Sequence, residues 1–555
     1  MVNAILRFRI LFISTLALMV AVGCGPEERG TVQIVFNLAD GEANAQLLSS
    51  EDLFELEIVV EGDPLTTPIR KIFKASPRSA RIPSLPAGQN YRVSVFGLNR
   101  PSGGMTESSF YGSSGLFDVD GSSVTRVPVQ LGRADCISPN NIAGINPDGG
   151  AFDMVEKRDG FATAVLPDGR VLIIGGGEID QTRRVNRPKS TIEVFDPLYG
   201  DFRLLDFQLS TPRAYHTATT LADGSVLVFG GITGENGGTV ATNAELIYPD
   251  ADFPIVPVTL ENQAFTRYHH EAVRLDDGSV LIAGGYDNAF NLTATVIRYF
   301  PDGRIVPQGP LSSPRAHGAM ARTSIAGYPA AYASGLTDNA LSETVELFST
   351  LEGQGVDGNG LRCNDGSTPG DDVGCFVDYE DLAVPRSHFE MLSTYRGKEL
   401  LFIGGYTDVV ASQTTNIVER FRQKADGGLM VERVGELPFA TAELAAHAVT
   451  SPASPRGSLQ TYLVAGGRDS LSVSNGAVRI EESPFENDQE ANYVITSLEQ
   501  ECRLPEARAN LVMVSNESLP LLLIGGHRYD GEVMGWAATA RAEVYFPSFK
   551  AIVGQ

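Results

Sequence analysis

Short runs of four apolar residues, each closed by two glycines, recur from residue 171 towards the end of the chain. The first reads Val-Leu-Ile-Ile-Gly-Gly, and a degenerate copy at 331–335 reads Ala-Tyr-Ala-Ser-Gly. The six full copies occupy residues 171–176, 226–231, 280–285, 400–405, 462–467 and 521–526. Continuous apolar runs of this length predict strands that are covered on both faces. Seven copies at intervals of 50 to 70 residues therefore predict a repeat architecture built from β-sheets.

Each run has companion motifs on both sides. Upstream lies Pro-Arg-Ala-Tyr-His at 212–216, with related segments at 266–270, 314–317 and 385–388. Downstream lies an acidic and aromatic strand, such as Ile-Glu-Val-Phe-Asp-Pro at 192–197, with related segments at 244–249, 345–348, 418–421 and 542–547. This combination resembles the Kelch repeat. The resemblance covers residues 136–555 and implies an all-β, seven-bladed propeller of the Kelch and galactose-oxidase kind, with four antiparallel strands in each blade.

Closure of the predicted ring requires a strand from outside the regular repeat order, because each blade buries its faces only against the next one. Residues 151–155, Ala-Phe-Asp-Met-Val, are placed before the first blade as residues 201–205 are before the second. We expect residues 151–155 to supply the outer strand of blade seven. The alternative is closure by residues 549–553.

The segment before the repeats has a different pattern. Residues 31–36, 54–60, 91–96 and 124–131 alternate between apolar and polar positions, and shorter candidate strands lie at 69–73, 80–82 and 110–117. Seven short strands without a helical period predict a β-sandwich over residues 30–132. Residues 82–95, which contain Leu-Pro-Ala-Gly before Tyr91, resemble a strand of the carboxypeptidase-regulatory-like and related Ig-like modules. That resemblance implies a structural spacer.

The N-terminus has the pattern of a secretory signal. Arg7 and Arg9 precede an uncharged apolar run over residues 10–22, which at about 1.5 Å per residue is too short to cross a bilayer core of about 30 Å. The run ends in Ala-Val-Gly-Cys24, which resembles the bacterial lipobox. We therefore expect a signal peptide over 1–23, lipidation of Cys24, a tether over 24–30 and anchoring to the bacterial envelope. Gly25 in place of Asp favours the outer membrane.

Four cysteines remain once Cys24 is assigned to the lipid, and four cysteines permit three pairings. Cys363 and Cys375 bracket a Gly- and Asp-rich loop, which predicts that they pair locally. Cys136 and Cys502 are then left to each other. In an exported chain such pairs predict disulfides. In the propeller, a Cys136–Cys502 bond would join the two ends of the ring.

Composition excludes some partners. The chain has 43 Lys and Arg against 68 Asp and Glu, a net charge of −25, which argues against binding to nucleic acid because phosphates would be repelled. No spacing of the cysteines predicts a metal site. The acidic insertion over residues 357–372 could hold Ca²⁺, but it fits no EF-hand loop, and we expect no cofactor there.

Candidate ligand-binding residues follow the Gly-Gly pairs, because loops at that point of each blade gather on one face near the axis. They are basic or aromatic: Arg183, Arg184, Arg187, Tyr286, Tyr406, Arg468, His527, Tyr529 and Trp536, with Lys189 nearby. Such a set suits an anionic or sugar-like ligand, or a protein partner. The histidines 216, 270, 317, 388 and 447 lie at or next to one repeat position and are expected to pack between blades.

Two functions remain in competition at this stage. The first is a non-enzymatic binding or scaffold lipoprotein that displays the propeller loops to a protein or glycan. The alternative is an exported propeller enzyme that acts on carbohydrate. Galactose oxidase shares the implied fold and holds copper through two Tyr and two His, with one Tyr cross-linked to Cys, and this set cannot be placed in the sequence. We therefore expect no catalytic residues and no metal.

Overall fold

The computed structural model describes residues 29–38, 55–74, 79–98, 108–140, 153–182, 184–234, 238–252, 254–350, 363, 372–394, 397–424, 427–449, 460–482, 493–516, 519–531 and 535–547. These residues form 42 β-strands and two single-turn 3₁₀ helices, Gln263–Phe265 and Gln500–Cys502. Neither helix has the length or the apolar character needed to cross a membrane, and the described part of the chain contains no other. The predicted all-β class is confirmed.

The first eight strands form one connected sheet. They are β1 (Arg29–Leu38), β2 (Glu55–Glu61), β3 (Ile69–Lys74), β4 (Ser79–Pro86), β5 (Gly88–Leu98), β6 (Ser108–Ser113), β7 (Phe117–Val119) and β8 (Val124–Arg133). The order is β3-β2-β5-β6-β8-β1-β4, with β7 paired to β5, and only β1 and β8 are parallel. Alternate residues such as Val32, Ile58, Val93 and Val127 enclose one core. The likeness to Ig-like sandwiches stays a prediction.

The remaining strands form seven four-stranded antiparallel blades and three small hairpins. Blade one is β10 (Ala162–Val165), β11 (Val171–Ile174), β14 (Thr191–Asp196) and β15 (Asp201–Gln208), and blade two is β16 (Thr217–Thr220), β17 (Val226–Phe229), β20 (Asn243–Ile247) and β21 (Ile255–Thr259). Blade three is β22 (Glu271–Arg274), β23 (Val280–Ala283), β24 (Val296–Tyr299) and β25 (Ile305–Gln308), and blade four is β26 (Ala319–Ile325), β27 (Tyr328–Ala333), β28 (Thr344–Ser349) and β29 (Cys375–Asp381). Blade five is β30 (Glu390–Ser393), β31 (Glu399–Ile403), β32 (Ile417–Gln423) and β33 (Leu429–Glu436), and blade six is β34 (Ala445–Val449), β35 (Thr461–Ala465), β36 (Ala477–Glu482) and β37 (Tyr493–Ser497).

Blade seven combines the two ends of the repeat region. It consists of β38 (Val512–Asn516), β39 (Leu519–Ile524), β42 (Ala542–Phe546) and the early strand β9 (Cys136–Pro139). The three hairpins are β12 (Gly177–Ile179) with β13 (Val185–Pro188), β18 (Ile232–Thr233) with β19 (Thr239–Val240), and β40 (His527–Asp530) with β41 (Gly535–Ala538). The first strands of the blades contact one another in a closed ring, from β10 round to β38 and back to β10. The predicted seven-bladed propeller is therefore confirmed.

Closure differs from the expectation drawn from the sequence. Residues 153–155 form no strand, and β9 pairs with β42 through Cys136 and Phe546. Residues 549–553 lie outside the described residues. The N-terminal side does close the ring, but with a strand some fifteen residues earlier than predicted, because β9 continues almost directly from β8.

Both predicted disulfides are present. Cys136 in β9 bonds to Cys502, whose 3₁₀ helix follows the outer strand of blade six. The bond therefore fastens the closing strand to the neighbouring blade. Cys363 bonds to Cys375 at the start of β29.

The Gly-Gly pairs end the second strand of each blade because both residues adopt positive φ. At Gly230, φ is +68°, and a Cβ would lie 2.2 Å from the carbonyl oxygen of Arg267 in the next blade. In the degenerate copy Ser334 takes this position with a φ of +52°. Its hydroxyl donates to the carbonyl of Arg386 at 2.7 Å and accepts from the Arg386 amide at 2.9 Å, so the close approach becomes a hydrogen bond.

A buried arginine and glutamate stabilise five of the blades. The arginine lies four residues before the first strand of its blade, and the glutamate lies on the third strand. The pairs are Arg158–Glu193, Arg213–Glu245, Arg315–Glu346, Arg386–Glu419 and Arg508–Glu543. Three of these arginine side chains also donate to the carbonyl of the first glycine in the pair: Arg158 to Gly175 at 2.6 Å, Arg213 to Gly230 at 2.8 Å and Arg386 to Gly404 at 2.8 Å. The upstream Arg and downstream Glu motifs of the sequence are thus two halves of one contact.

The N-terminal sheet packs on the propeller where the ring closes. Val59, Phe96 and Tyr111 join the apolar cluster between blades seven and one. A Cβ at Gly132 would collide with the ring of Phe546, so the two sheets approach closely at this glycine. Strands β6 and β8 of the first sheet contact strands β39 and β42 of blade seven.

Candidate functional site

Seven equivalent residues surround the propeller axis, one from each blade. They lie two positions after the buried arginine or its substitute, and all have φ between +50° and +59°. In blade order they are Gly160, Tyr215, His269, His317, His388, Glu443 and Asn510. Backbone amides in five of them donate to the carbonyl of the preceding member, for example His388 to His317 at 3.0 Å. The backbone therefore links neighbouring blades, and the side chains of these residues face the axis.

These residues line a cavity of about 1060 Å³ that receives side chains from all seven blades. That volume is at the upper end of the range of about 300–1,000 Å³ found for small-molecule pockets. Its wall is a mixture of rings, carboxyls and amides. The arrangement can enclose a polar organic ligand of oligosaccharide size.

Three imidazoles stack along one side of the cavity. The ring centroids of His269 and His317 are 4.3 Å apart, and those of His317 and His388 are 3.9 Å apart. Burial lowers the pKa of His269 to about 3 and lowers the pKa of His317 well below its usual value. The rings of His269 and His317 are therefore neutral at physiological pH, so each keeps one nitrogen that can accept a hydrogen bond.

Aromatic faces continue the wall on the other side of His269. Tyr215 stacks on His269 at 4.1 Å, and Tyr268 stacks on Tyr286 at 5.1 Å. Phe290 closes against Tyr268 and is half exposed. Flat aromatic surfaces of this kind suit the apolar faces of a sugar ring or an organic cation.

Two carboxyls, those of Glu271 and Glu390, lie deeper in the cavity wall. Each is the first residue of an innermost strand, β22 in blade three and β30 in blade five. Burial raises the pKa of Glu271 to about 8. Burial, with the neighbouring Glu271 as a second cause, raises the pKa of Glu390 to about 8 as well.

A hydrogen-bonded network lines the cavity where blade seven meets blades one and six. The Nδ1 atom of His527 lies 2.8 Å from Asp159, and its Nε2 atom lies 3.7 Å from Glu443. Tyr406 donates to Glu443 at 2.9 Å and accepts from Arg468 at 3.0 Å. The network holds the His527 ring in a fixed orientation against the cavity.

The residue after each Gly-Gly pair forms a β-bridge with the residue before the axial position in its own blade. Tyr286, Tyr406, Arg468 and His527 share this position, so the structure brings these four predicted residues to one level of the ring. Arg184, Tyr286, Tyr406 and His527 line the cavity. Arg468 is buried behind it and stacks on Trp536, which meets the edge of His527.

Other predicted ligand residues lie away from the cavity. Arg187 is 73% exposed and pairs with Glu178 at 3.1 Å, and Tyr529 is 51% exposed. Lys189 pairs with Glu156 at 3.5 Å. Arg183 lies outside the described residues, as do Cys24 and, apart from Cys363 and Asp372, the acidic insertion of residues 357–372. Asp372 itself pairs with Arg304 at 2.7 Å.

Within the described ranges no three His, Cys, Asp or Glu side chains are grouped so as to hold a metal ion. The four cysteines of these ranges are all in disulfides, so none of them is available for a cross-link to tyrosine. None of these four cysteines can therefore supply the tyrosine cross-link of the galactose oxidase copper set.

Several residues of the cavity were not predicted from the sequence. Tyr215, Tyr268, Glu271 and Glu390 were not singled out, and His317 and His388 line the cavity instead of only packing between blades. The available signal was the position two residues after the repeated arginine. The positive φ at this position turns the side chain to the axis. The residue types at this position range from Gly to Tyr and do not reveal that conformation, which the closed ring imposes.

The solved structures that resemble this chain include YjhT and a fungal alcohol oxidase. YjhT is 13% identical with a TM-score of 0.39, over 71% of this chain and 96% of YjhT. A fungal alcohol oxidase of the AA5 family, in complex with copper, is 14% identical with a TM-score of 0.41, over 82% of this chain and 88% of the oxidase. At these values neither likeness bears on what this chain binds. No protein-family model and no curated protein matches the sequence.

Proposed function

We propose that this chain is a non-enzymatic binding protein of the bacterial cell envelope, and that its axial cavity takes a sugar-like ligand. The observation that carries the proposal is the cavity itself, about 1060 Å³ in volume and lined by stacked tyrosines, neutral imidazoles and carboxyls. Aromatic faces bind the apolar faces of sugar rings, and the polar groups between them supply directed hydrogen bonds.

The charge of the cavity favours a sugar over an anion. Of the predicted cationic residues, Arg187 and Arg468 pair with acids, at 3.1 Å and 3.7 Å. Arg184 remains at the cavity, where it lowers the pKa of Tyr268 against the larger effect of burial. The acids Asp159, Glu271, Glu390 and Glu443 lie close to the same space. An anionic ligand would meet more carboxyls than guanidinium groups.

The envelope location is part of the proposal and rests on the lipobox-like Cys24 and on the two disulfides, since stable disulfides are typical of oxidising compartments. Replacement of Cys24 by Ser should move the protein from the membrane fraction to the soluble fraction of the envelope. Retention of the Cys24→Ser variant in the membrane fraction would contradict the anchor.

Binding is tested by calorimetric titration of the purified protein with a panel of neutral, cationic and anionic oligosaccharides. The sequence supplies matched pairs of variants. Tyr286→Ala removes a cavity face and should weaken binding at least tenfold, whereas Tyr529→Ala removes an exposed ring outside the cavity and should leave binding unchanged. Arg184→Ala and Arg187→Ala form a second such pair. Equal effects within each pair would exclude the cavity as the site.

A carbohydrate-acting enzyme is the second candidate, favoured by the Asp159–His527 pair. A histidine held by a carboxylate at 2.8 Å in a cavity wall has the geometry of a general base. Turnover of any bound glycan, lost in His527→Gln while the glycan still binds, would establish this candidate. Binding without turnover supports the first.

A further inference from the structure

Glu271 and Glu390 are half-buried and line the cavity, and they differ from the fully buried acids of the blade interiors. Five fully buried acids of the blade interiors each face a buried arginine: Glu193, Glu245, Glu346, Glu419 and Glu543. Glu271 and Glu390 form no hydrogen bond or ion pair with any described residue, and no cation contributes to the pKa of either carboxyl. Withdrawal of a carboxylate from bulk water disfavours its charge unless a cation or hydrogen-bond donors face it. Each of these two carboxyls therefore holds a proton or awaits a cationic partner.

Glu271 and Glu390 both line the axial cavity. They are the first residues of the first strands of blades three and five. In blade four, which lies between these two blades, the first strand begins at Ala319 and is preceded by Gly318. A Cβ at Gly318 would lie 2.7 Å from the ring of Tyr332, so this residue cannot be larger. The positions equivalent to Glu271 in the other blades carry small or medium side chains: Ala162, Thr217, Ala319, Ala445 and Val512. No bulky neighbour separates the pair from the cavity.

Hydrogen-bond acceptors surround this space, and the cavity's cations lie elsewhere. The imidazoles of His269 and His317 present neutral rings, and His388 stacks on His317. His216 lines the same cavity at 6% exposure. Arg184 acts on the tyrosine wall, and Arg468 faces Glu443. The remaining charged groups, Glu443 and Asp159, belong to the His527 network.

We propose that Glu271 and Glu390 together bind a protonated primary amine carried by the sugar-like ligand, so that the ligand is an amino sugar. An ammonium group has three donors, which match two carboxylates and one imidazole acceptor. The tyrosine faces then cover the sugar ring, and the net charge of −25 attracts a cation to the protein. This inference rests on the proposed function, because it names the class of sugar that the cavity takes.

The release of protons from the two carboxyls on binding should distinguish an amine ligand from a neutral ligand. Both carboxyls have a pKa of about 8 in the empty cavity, so at pH 6.5 they are protonated. An ammonium ligand ionises them as it binds, and each carboxyl that ionises releases one proton to solvent. A neutral ligand leaves both protons in place. Amine affinity should then rise by about tenfold per pH unit for each proton released, between pH 5.5 and 6.5.

The experiment uses the β-1,4-linked glucosamine dimer and, as its neutral counterpart, the N-acetylated dimer. Calorimetry of the full chain at pH 6.5, in two buffers of different ionisation enthalpy, measures the affinity and the number of protons released. We expect the amine dimer to bind at least tenfold more tightly than the acetylated dimer, with release of about one to two protons. Glu271→Gln and Glu390→Gln should each remove that preference and reduce the proton release.

The controls keep the possible outcomes separate. Glu261→Gln removes an exposed acid outside the cavity and should leave both measurements unchanged. The Gln variants replace a protonated acid by a neutral amide of the same size, and thermal melts check that they fold. Tighter binding of the acetylated dimer without proton release would overturn the amine and leave the sugar site. No binding of either dimer, or of the neutral and anionic panel, would overturn both. Ca²⁺ or Cu²⁺ alone binding in a Glu271-dependent way would overturn the amine in favour of a metal.

Discussion

The guanidinium of Arg213 donates a hydrogen bond of 2.5 Å to the carboxylate of Glu245, and both side chains are fully buried. Arg213 also donates to the carbonyl of Gly230 at 2.8 Å, and Glu245 accepts from the amide of Ser210 at 2.7 Å. The pair therefore joins the loop before the first strand, the Gly-Gly turn and the third strand of blade two.

Removal of one partner should be costly because it leaves a buried charge without compensation. Glu245→Ala is expected to lower the free energy of unfolding by about 3–5 kcal/mol, whereas the double variant Arg213→Met, Glu245→Leu should lose much less. Urea denaturation measures both. The exposed pair Arg187–Glu178 is the control, and its removal should change the free energy by about 0–1 kcal/mol. A double variant as unstable as the single one would contradict the charge argument.

The two disulfides should contribute unequally to stability. The Cys136–Cys502 bond closes a separation of 366 residues, and the Cys363–Cys375 bond closes one of 12. In the chain-entropy description these correspond to about 6 and about 3 kcal/mol of stabilisation. Replacement of Cys136 and Cys502 by Ser should therefore lower the denaturation midpoint more than replacement of Cys363 and Cys375. Equal losses would show that the ring closes as firmly without its long-range bond.

Acid should destabilise the propeller because five buried histidines bind protons less readily in the folded chain than in the unfolded chain. Burial lowers the pKa of His216 and of His269 to about 3, and lowers the pKa values of His270, His317 and His447 as well. The unfolded chain binds protons at these residues below a pH of about 6.5 and the folded chain does not, so stability falls as the pH drops below that value.

The two cavity carboxyls act in the opposite direction. With a folded pKa of about 8, Glu271 and Glu390 hold protons that the unfolded chain has released, so stability also falls as the pH rises from 6.5 to 8. Melting temperatures measured from pH 5 to 8.5 should thus peak near pH 6.5. The double variant Glu271→Gln, Glu390→Gln should lose the alkaline decline and keep the acid one. An unchanged alkaline decline in this variant would place its cause elsewhere.

Two glycines test the steric role of the Gly-Gly turn. Gly230 and Gly303 both have positive φ, +68° and +88°, but a Cβ at Gly230 meets the Arg267 carbonyl at 2.2 Å and a Cβ at Gly303 meets nothing within 4 Å. Gly303→Ala should cost about 1–2 kcal/mol, the penalty of the left-handed conformation alone. Gly230→Ala should cost distinctly more, because the next blade must move. Equal losses in thermal or urea denaturation would show that blade contact adds nothing to the glycine requirement.

The sequence predicts the blades far better than the cavity. Repeated Gly-Gly runs give seven strands, and the cysteine spacing gives both bonds, because these features depend on local patterns. The closing strand β9 could not be predicted, since its pairing with β42 depends on how the first sheet meets the ring. Glu271 and Glu390 gave no local signal either. They become candidate ligand residues because no arginine faces them, and only the three-dimensional arrangement shows this.

The amide-to-carbonyl links between axial residues such as His317 and His388 run through the backbone and do not use the side chains. The axial positions already accommodate Gly, Tyr, His, Glu and Asn in this one chain. Exchange among such residues should therefore alter the selectivity of the cavity while the ring keeps its stability. The propeller axis is in this respect a site where new specificities can be engineered one blade at a time.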